Sequence, residues 1–178
     1  MRAAASRRIF GMALAAAAVF AADRATKAAA VARLRGRPPR LLLGGALELV
    51  LSENSGGFLS LGGRLPPEAR YVLFVLLVGA GLAATSVWVL RSRALSTARS
   101  VGAAAMIAGG ASNLVDRVLR GRVVDFAILR AGALHTGVFN VADAAILAGA
   151  VLWVWPAFRT SAGFGRHSSE RASKGGNS

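Results

Sequence analysis

From Tyr71 to Leu90 the chain runs for twenty residues without a charge, about the length one helix needs to cross the hydrocarbon core of a bilayer. No other feature restricts the fold as much. Three more apolar runs accompany it, so the sequence reads as an all-α membrane protein with four transmembrane helices, at about residues 9–31, 71–90, 101–115 and 138–158. The first is interrupted by Asp23, Arg24 and Lys27 and the third is short, so these two cross only if their polar ends lie at the interface. Trp153 and Trp155 suit an interfacial aromatic belt near the end of the fourth. Residues 1–158 form a single integral-membrane domain in this reading, and 159–178, rich in Ser, Gly and Arg, form a disordered polar tail.

A formal net charge of +14 would point to nucleic acid in a soluble protein. Here the arginines are scattered through the connections, with no basic helix and no interleaved aromatics, so lipid head groups are the expected partner and nucleic acid is not. The absence of cysteine excludes disulfides, thiolate metal sites and Cys nucleophiles. The only histidines, His135 and His167, fall in a loop and in the tail, so no metal site is expected. Ser6-Arg7-Arg8-Ile9-Phe10 resembles a twin-arginine export signal. Cleavage there would discard a helix ending in Asp23 and Lys27, so an uncleaved first span is the better reading. Charge does not orient the bundle, because with both termini on one side ten basic residues fall on each face of the membrane.

Between the first two spans lie about forty residues, Ala32 to Arg70, opening with a basic linker of Arg33, Arg35, Arg37, Pro38, Pro39 and Arg40. In Leu41–Leu61 apolar residues alternate loosely with Glu48 and Ser52, and glycines break the pattern. This reads as a small interfacial sheet of short strands.

The chain has four aspartates, Asp23, Asp116, Asp125 and Asp143, and each borders an apolar run. A carboxylate beside hydrocarbon is costly, which makes such residues functional candidates by default. Each also has a structural reading. Asp23 and Lys27 are one helical turn apart with the acid first, as a salt bridge at a helix end requires. Glu53-Asn54-Ser55-Gly56-Gly57 has the residues of a tight turn, or Asn54 donates to a substrate carbonyl. Asn113, Asp116, Arg117 and Arg120 share a helix face, either as a helix end with an Asp116–Arg120 ion pair or, since four polar groups exceed that need, as part of a site. Asn140 with Asp143 three residues on is close to a capping box. Capping leaves Asp125 unexplained. If the third helix ends near Arg120 and the fourth begins near Asn140, the intervening hairpin can return Asp125 to the side of Asp143.

Taken in order, Asp23-x-x-Thr26-Lys27, Asn54-x-Gly56, Gly109-Gly110-x-x-Asn113-x-x-Asp116-Arg117, Gly121-x-Val123-x-Asp125-Phe126 and Phe139-Asn140-x-Ala142-Asp143 resemble the motifs of the lipoprotein signal peptidases, the type II signal peptidases of bacteria. The likeness covers roughly residues 9–158 and is specific as an ordered set. It implies a four-helix membrane bundle with a small extracytoplasmic β-cradle between helices 1 and 2. It further implies location in the bacterial cytoplasmic membrane, with both termini cytoplasmic. Asp125 and Asp143 fall on the family's catalytic dyad, while Asp23, Lys27, Asn54, Asn113, Asp116, Arg117 and Asn140 fall on positions that support the site or contact substrate. Ser112 stands where the family usually has glycine, and Gly57-Phe58-Leu59 replaces a commoner Ala-Ala-Phe-like run.

The implied activity is that of an intramembrane aspartic endopeptidase acting on prolipoproteins, cutting just before the diacylglyceryl-modified cysteine, without metal or organic cofactor. Membrane lipids surround it, and globomycin is the inhibitor that the resemblance implies. Two close carboxyls share one proton, so one can activate water while the other donates to the oxyanion and leaving amine. The rival is a small proton-coupled transporter or channel subunit using the same charges as a relay. Against it stand the lack of an internal repeat and the clustering of polar groups at span ends.

Overall fold

The computed structural model describes residues 2–57, 61–92 and 94–155. The polar tail, the last residues of the fourth apolar run, His167 and most of the Gly57-Phe58-Leu59 departure lie outside them.

Four helices carry the fold: α1 (Arg2–Leu34), α2 (Pro67–Arg91), α3 (Thr97–Arg120) and α4 (Val141–Trp155). Between α1 and α2 run β1 (Arg40–Leu42) and β2 (Leu47–Asn54); between α3 and α4 run β3 (Val123–Ala131) and β4 (Leu134–His135). The strands form one antiparallel order, β1-β2-β3-β4. Ser6–Leu34 and Pro67–Arg91 are long and apolar enough to cross a membrane, and Val141–Trp155 is a shorter apolar helix. The sheet was expected from Leu41–Leu61 alone. Half of its strands come instead from the connection between α3 and α4, where the apolar run Val123–Leu129, broken by Asp125, pairs with β2.

Helix limits follow local chemistry. Pro67 stands in the first turn of α2, where its missing N–H costs nothing. The Ser96 side chain accepts from the Arg99 N–H at the start of α3, and Gly121 closes that helix in the left-handed conformation (φ 69°). That turn throws the chain back as β3. Near the other end of the bundle, Arg8 of α1 donates to the carbonyls of Leu90 and Ser92, capping the C-terminus of α2.

The interior inverts that of a soluble protein. Of the eight largest side chains with almost no exposure, six are polar: Asp23, Lys27, Ser100, Ser112, Asp116 and Asn140. Leucines and valines of α2 and α4 such as Leu73, Leu76, Leu77, Leu147 and Val151 point outward. That is the distribution expected when the surrounding solvent is lipid. Trp153 packs on Trp88 with ring centroids 5.7 Å apart. Small residues let α3 and α4 touch along their backbones: a Cβ on Gly109 would meet the Ala142 carbonyl oxygen at 2.6 Å, and one on Gly102 the Gly149 carbonyl oxygen at 2.6 Å. The Gly109 contact sets the height of α4 against α3 one residue before Asp143.

Candidate active site

The polar interior resolves into two groups. The first joins α1 to α3. Lys27 Nζ, fully buried, forms ion pairs with Asp23 Oδ2 at 2.7 Å and Asp116 Oδ2 at 2.8 Å and donates to Asn113 Oδ1 at 2.7 Å. Arg24 reaches the other oxygen of Asp116. Two carboxylates and two cations leave this group neutral. The Asp116–Arg120 pair, the purely structural alternative for this helix face, does not form; Asp116 is turned inward to Arg24 and Lys27, while Arg120 is exposed. Buried charge prefers the partner that shares its burial. Asp23 also accepts the Ser112 hydroxyl at 2.6 Å and the Ala142 N–H at 2.9 Å, so one carboxylate of α1 holds α3 and the first turn of α4. An anion at a helix N-terminus is favourably placed.

The second group contains Asp125 and Asp143. Asp125 lies on β3 opposite Ser52 of β2, 3% exposed. Asp143 lies in the first turn of α4. Backbone bonds bring the two elements together: the Phe139 carbonyl accepts from the N–H groups of Phe126 and Ala127, both at 3.0 Å, and the Phe139 N–H donates to the Ala127 carbonyl at 2.8 Å. Asn140 follows and serves both acids. Its Nδ2 donates to Asp125 Oδ1 at 2.7 Å; its backbone N–H donates to Asp143 Oδ2 at 3.2 Å, and its Oδ1 accepts the Asp143 N–H at 2.9 Å. The reciprocal capping box is therefore present, and the same asparagine bridges the two carboxyls.

Two more asparagines complete the shell. Asn54 forms the anticipated turn, its Oδ1 accepting the Gly56 N–H at 2.9 Å, while its Nδ2 donates to the Gly57 carbonyl and to Asp125 Oδ2 at 3.3 Å. Asn113 donates to Asp143 Oδ1 at 2.9 Å and accepts from Lys27 and from Asn140. It is the link between the two groups, with its oxygen and one amide hydrogen engaged. Arg117 donates to the carbonyls of Gly56 at 2.7 Å and Asn113 at 3.4 Å, and its guanidinium lies 5.3 Å from the Phe74 ring centroid. It holds the Asn54–Gly57 turn against α3. Among the described residues no cation donates to Asp125 or Asp143; Lys27 and Arg117 act on the pair only through space. Burial first, and the Asp143 carboxylate next, push the Asp125 carboxyl from an ordinary 3.8 up to about 6.

All nine residues singled out from the sequence thus fall in these two linked groups. The reading missed Arg24, Ser112 and the Ala142 N–H. Arg24 was hidden between Asp23 and Lys27, whose i,i+4 spacing already supplied a pair. Ser112, noted only as a departure, becomes visible as a donor once α1 and α3 are in contact.

Fold and site define the class first: a membrane protein whose polar interior ends in a pair of carboxyls without a directly bonded cation. Comparison with known proteins then gives the family. The family model described as signal peptidase (SPase) II matches residues 15–159. A lipoprotein signal peptidase of Desulforapulum autotrophicum is 38% identical over 139 residues, covering 77% of this chain and 85% of that one. One from Solibacter usitatus is 31% identical over 137 residues, covering 77% and 84%. A solved bacterial membrane enzyme shares the fold with a TM-score of 0.72 at 24% identity, over 82% of this chain and 90% of the other. The chain belongs to the signal peptidase II family. It is a membrane protease that removes signal peptides from prolipoproteins, which decides between the peptidase and transporter readings of the sequence.

Proposed function

We propose that Asp125 and Asp143 are the catalytic dyad of an intramembrane aspartic endopeptidase that cuts prolipoproteins just before their diacylglyceryl-cysteine. One observation carries this reading: of the chain's four aspartates, only these two are held by amide donors alone. Neutral donors fix the oxygens in place without cancelling their charge, so the pair keeps one proton, and its titration belongs to the pair. The ionised member accepts a proton from water as the water oxygen bonds to the scissile carbonyl carbon. The protonated member donates to the developing oxyanion. As the C–N bond breaks, the proton held by the pair passes to the leaving amine of the cysteine. Asn54, Asn113 and Asn140 orient the carboxyls, and Arg117 sets the turn beside them. Asp23, Lys27 and Asp116 form the floor, and no metal or organic cofactor enters a step.

In this reading residues 1–158 are one domain with four spans in the bacterial cytoplasmic membrane. Both termini are cytoplasmic and the sheet lies as a cradle on the outer face. Ser6–Leu34 and Pro67–Arg91 supply two spans by length and composition. About 36 Å of α3, from its 24 residues, is long enough for a third, and the outward apolar residues of α4 support the fourth. Membrane lipid is the surrounding partner, nucleic acid is not one, and the lipidated substrate enters sideways from the bilayer.

Globomycin tests the assignment. Its hydroxyl is expected between the two carboxyls. A ligand that binds only the folded state raises stability by about 2.7 kcal/mol at a hundredfold excess over its dissociation constant. The detergent-solubilised protein should melt later with globomycin, and Asp125→Asn should shrink the shift. An unchanged melt and undiminished cleavage at saturating globomycin would remove the dyad from the inhibitor's site.

A further inference from the structure

The edge strand β1 and the turn after it carry side chains that neither the bundle nor the sheet uses. All three residues of β1, Arg40, Leu41 and Leu42, are exposed, so neither face of this strand is covered. Leu43 follows at 79% exposure, with Leu41 at 64%. Leu43 is also the one non-glycine among the described residues with a left-handed backbone, φ 53°, a conformation that L side chains avoid. A leucine projected by a strained turn, next to two more with no cover, is out of place in water.

Its flanks are cationic. Arg33, Arg37 and Arg40 are exposed, and among the described residues none has an acidic partner, whereas Arg35 and Arg122 share Glu53. The position completes the argument. α1 ends at Leu34, and the six residues from there to Arg40 can reach about 20 Å at most. The leucines therefore begin within about 20 Å of the end of a membrane-spanning α1, within reach of the bilayer surface. Apolar tips flanked by unpaired arginines at that depth match an acyl-chain boundary overlaid by phosphates, not bulk water.

We infer that Leu41, Leu42 and Leu43 form a wedge that dips into the leaflet on the side of the active site, held there by Arg33, Arg37 and Arg40 on anionic phospholipid head groups. This rests on the chain spanning the bilayer as proposed above, and not on its peptidase chemistry. The wedge ties the free edge of the sheet to the lipid from which substrate arrives. A basic residue near an anionic surface is worth about fivefold in partitioning, so Arg37→Gln with Arg40→Gln should weaken the hold on the order of 30-fold.

The chain lacks cysteine, so single labels report cleanly. Leu43→Cys and, as a reference on the outward face of α2, Leu76→Cys would each carry an environment-sensitive fluorophore in nanodiscs of phosphatidylglycerol or of phosphatidylcholine. Cleavage of a prolipoprotein by each labelled protein checks that it is folded. The inference expects the Leu43 label to emit as blue-shifted as the Leu76 label in phosphatidylglycerol. It should be quenched there by spin-labelled lipid, and move toward water-like emission in phosphatidylcholine, in high salt, or with the two arginine substitutions. Water-like emission at Leu43 in both lipids, with Leu76 still in lipid, overturns it. Lipid-like emission at Leu43 that ignores lipid charge and both arginine substitutions also overturns it. Water-like emission at Leu76 would instead overturn the span assigned to α2.

Discussion

Two aspartates of this chain are held by cations and two by amides, within one connected set of side chains. Asp23 and Asp116 meet Lys27 and Arg24; Asp125 and Asp143 meet Asn54, Asn113 and the side chain and backbone of Asn140. The first arrangement sets two carboxylates against two cations and joins α1 to α3. The second is fixed as firmly in space yet left open in charge, and a proton must supply what a cation supplies next door. In the proposed mechanism, partner type separates the structural acids from the chemical ones. Asn113 keeps the two in register, with Lys27 on its oxygen and Asp143 on its nitrogen.

The comparison breaks most readily at Lys27. Lys27→Met leaves Asp23 without a cation and Asp116 with Arg24 alone, and removing one partner of a buried ion pair costs about 3–5 kcal/mol. Thermal unfolding in detergent should show a large loss of stability or no monodisperse protein; a melt unchanged from wild type would mean that the group does not hold α1 to α3.

Asp125→Asn should act in the other direction, through pH. The folded chain holds the Asp125 proton more tightly than the unfolded chain, with a pKa of about 6 against 3.8. The resulting folding penalty is absent below about pH 4, grows as pH rises from there toward 6, and is complete above it. The amide carries no such penalty. Its melting temperature relative to wild type should therefore rise between pH 4 and pH 8, and a pH-independent difference would show that Asp125 is not held protonated by its surroundings.

Asn113→Ala and Arg117→Ala test the connection between the groups. Hydrogen bonds to charged groups are worth about 1.5–3 kcal/mol, so cleavage should fall roughly 10- to 100-fold while the bundle remains folded. Full activity in an Arg117→Ala protein that folds poorly would make that residue a strut only. The smallest effect on cleavage is expected at Ser112. Ser112→Gly removes the hydroxyl donor to the Asp23 carboxylate at about 1.5–3 kcal/mol, a drop of roughly 3–12 °C in Tm, with cleavage within about threefold of wild type.

Most of the site was legible because its residues lie in polar spots beside apolar runs and in a fixed order along the chain. Asp125 and Asp143 stood out since neither has a sequence neighbour to neutralise it. Partners that come from other elements were not legible. Helix spacing offered Asp116 a partner in Arg120, but the fold supplies Arg24, 92 positions earlier. Asn54 makes its turn and Asn140 its capping box, and each also donates to Asp125, which spacing alone does not reveal. Strand β3 was hidden because an aspartate interrupts its apolar residues, and that aspartate is the one the strand delivers to the site. The wedge at Leu41–Leu43 was read only as strand, since alternation does not say which edge will lack a neighbour.

The central claim is that Asp125 and Asp143 do chemistry while Asp23 does not. The direct test is prolipoprotein cleavage by Asp125→Asn, Asp143→Asn and Asp23→Asn, with the membrane level and melting temperature of each variant measured in the same preparation. The account predicts that the first two accumulate, stay folded and leave the prolipoprotein uncut. Asp23→Asn should lose stability, and the folded protein that remains should still cut. Near-normal cleavage by either Asp125→Asn or Asp143→Asn would contradict it.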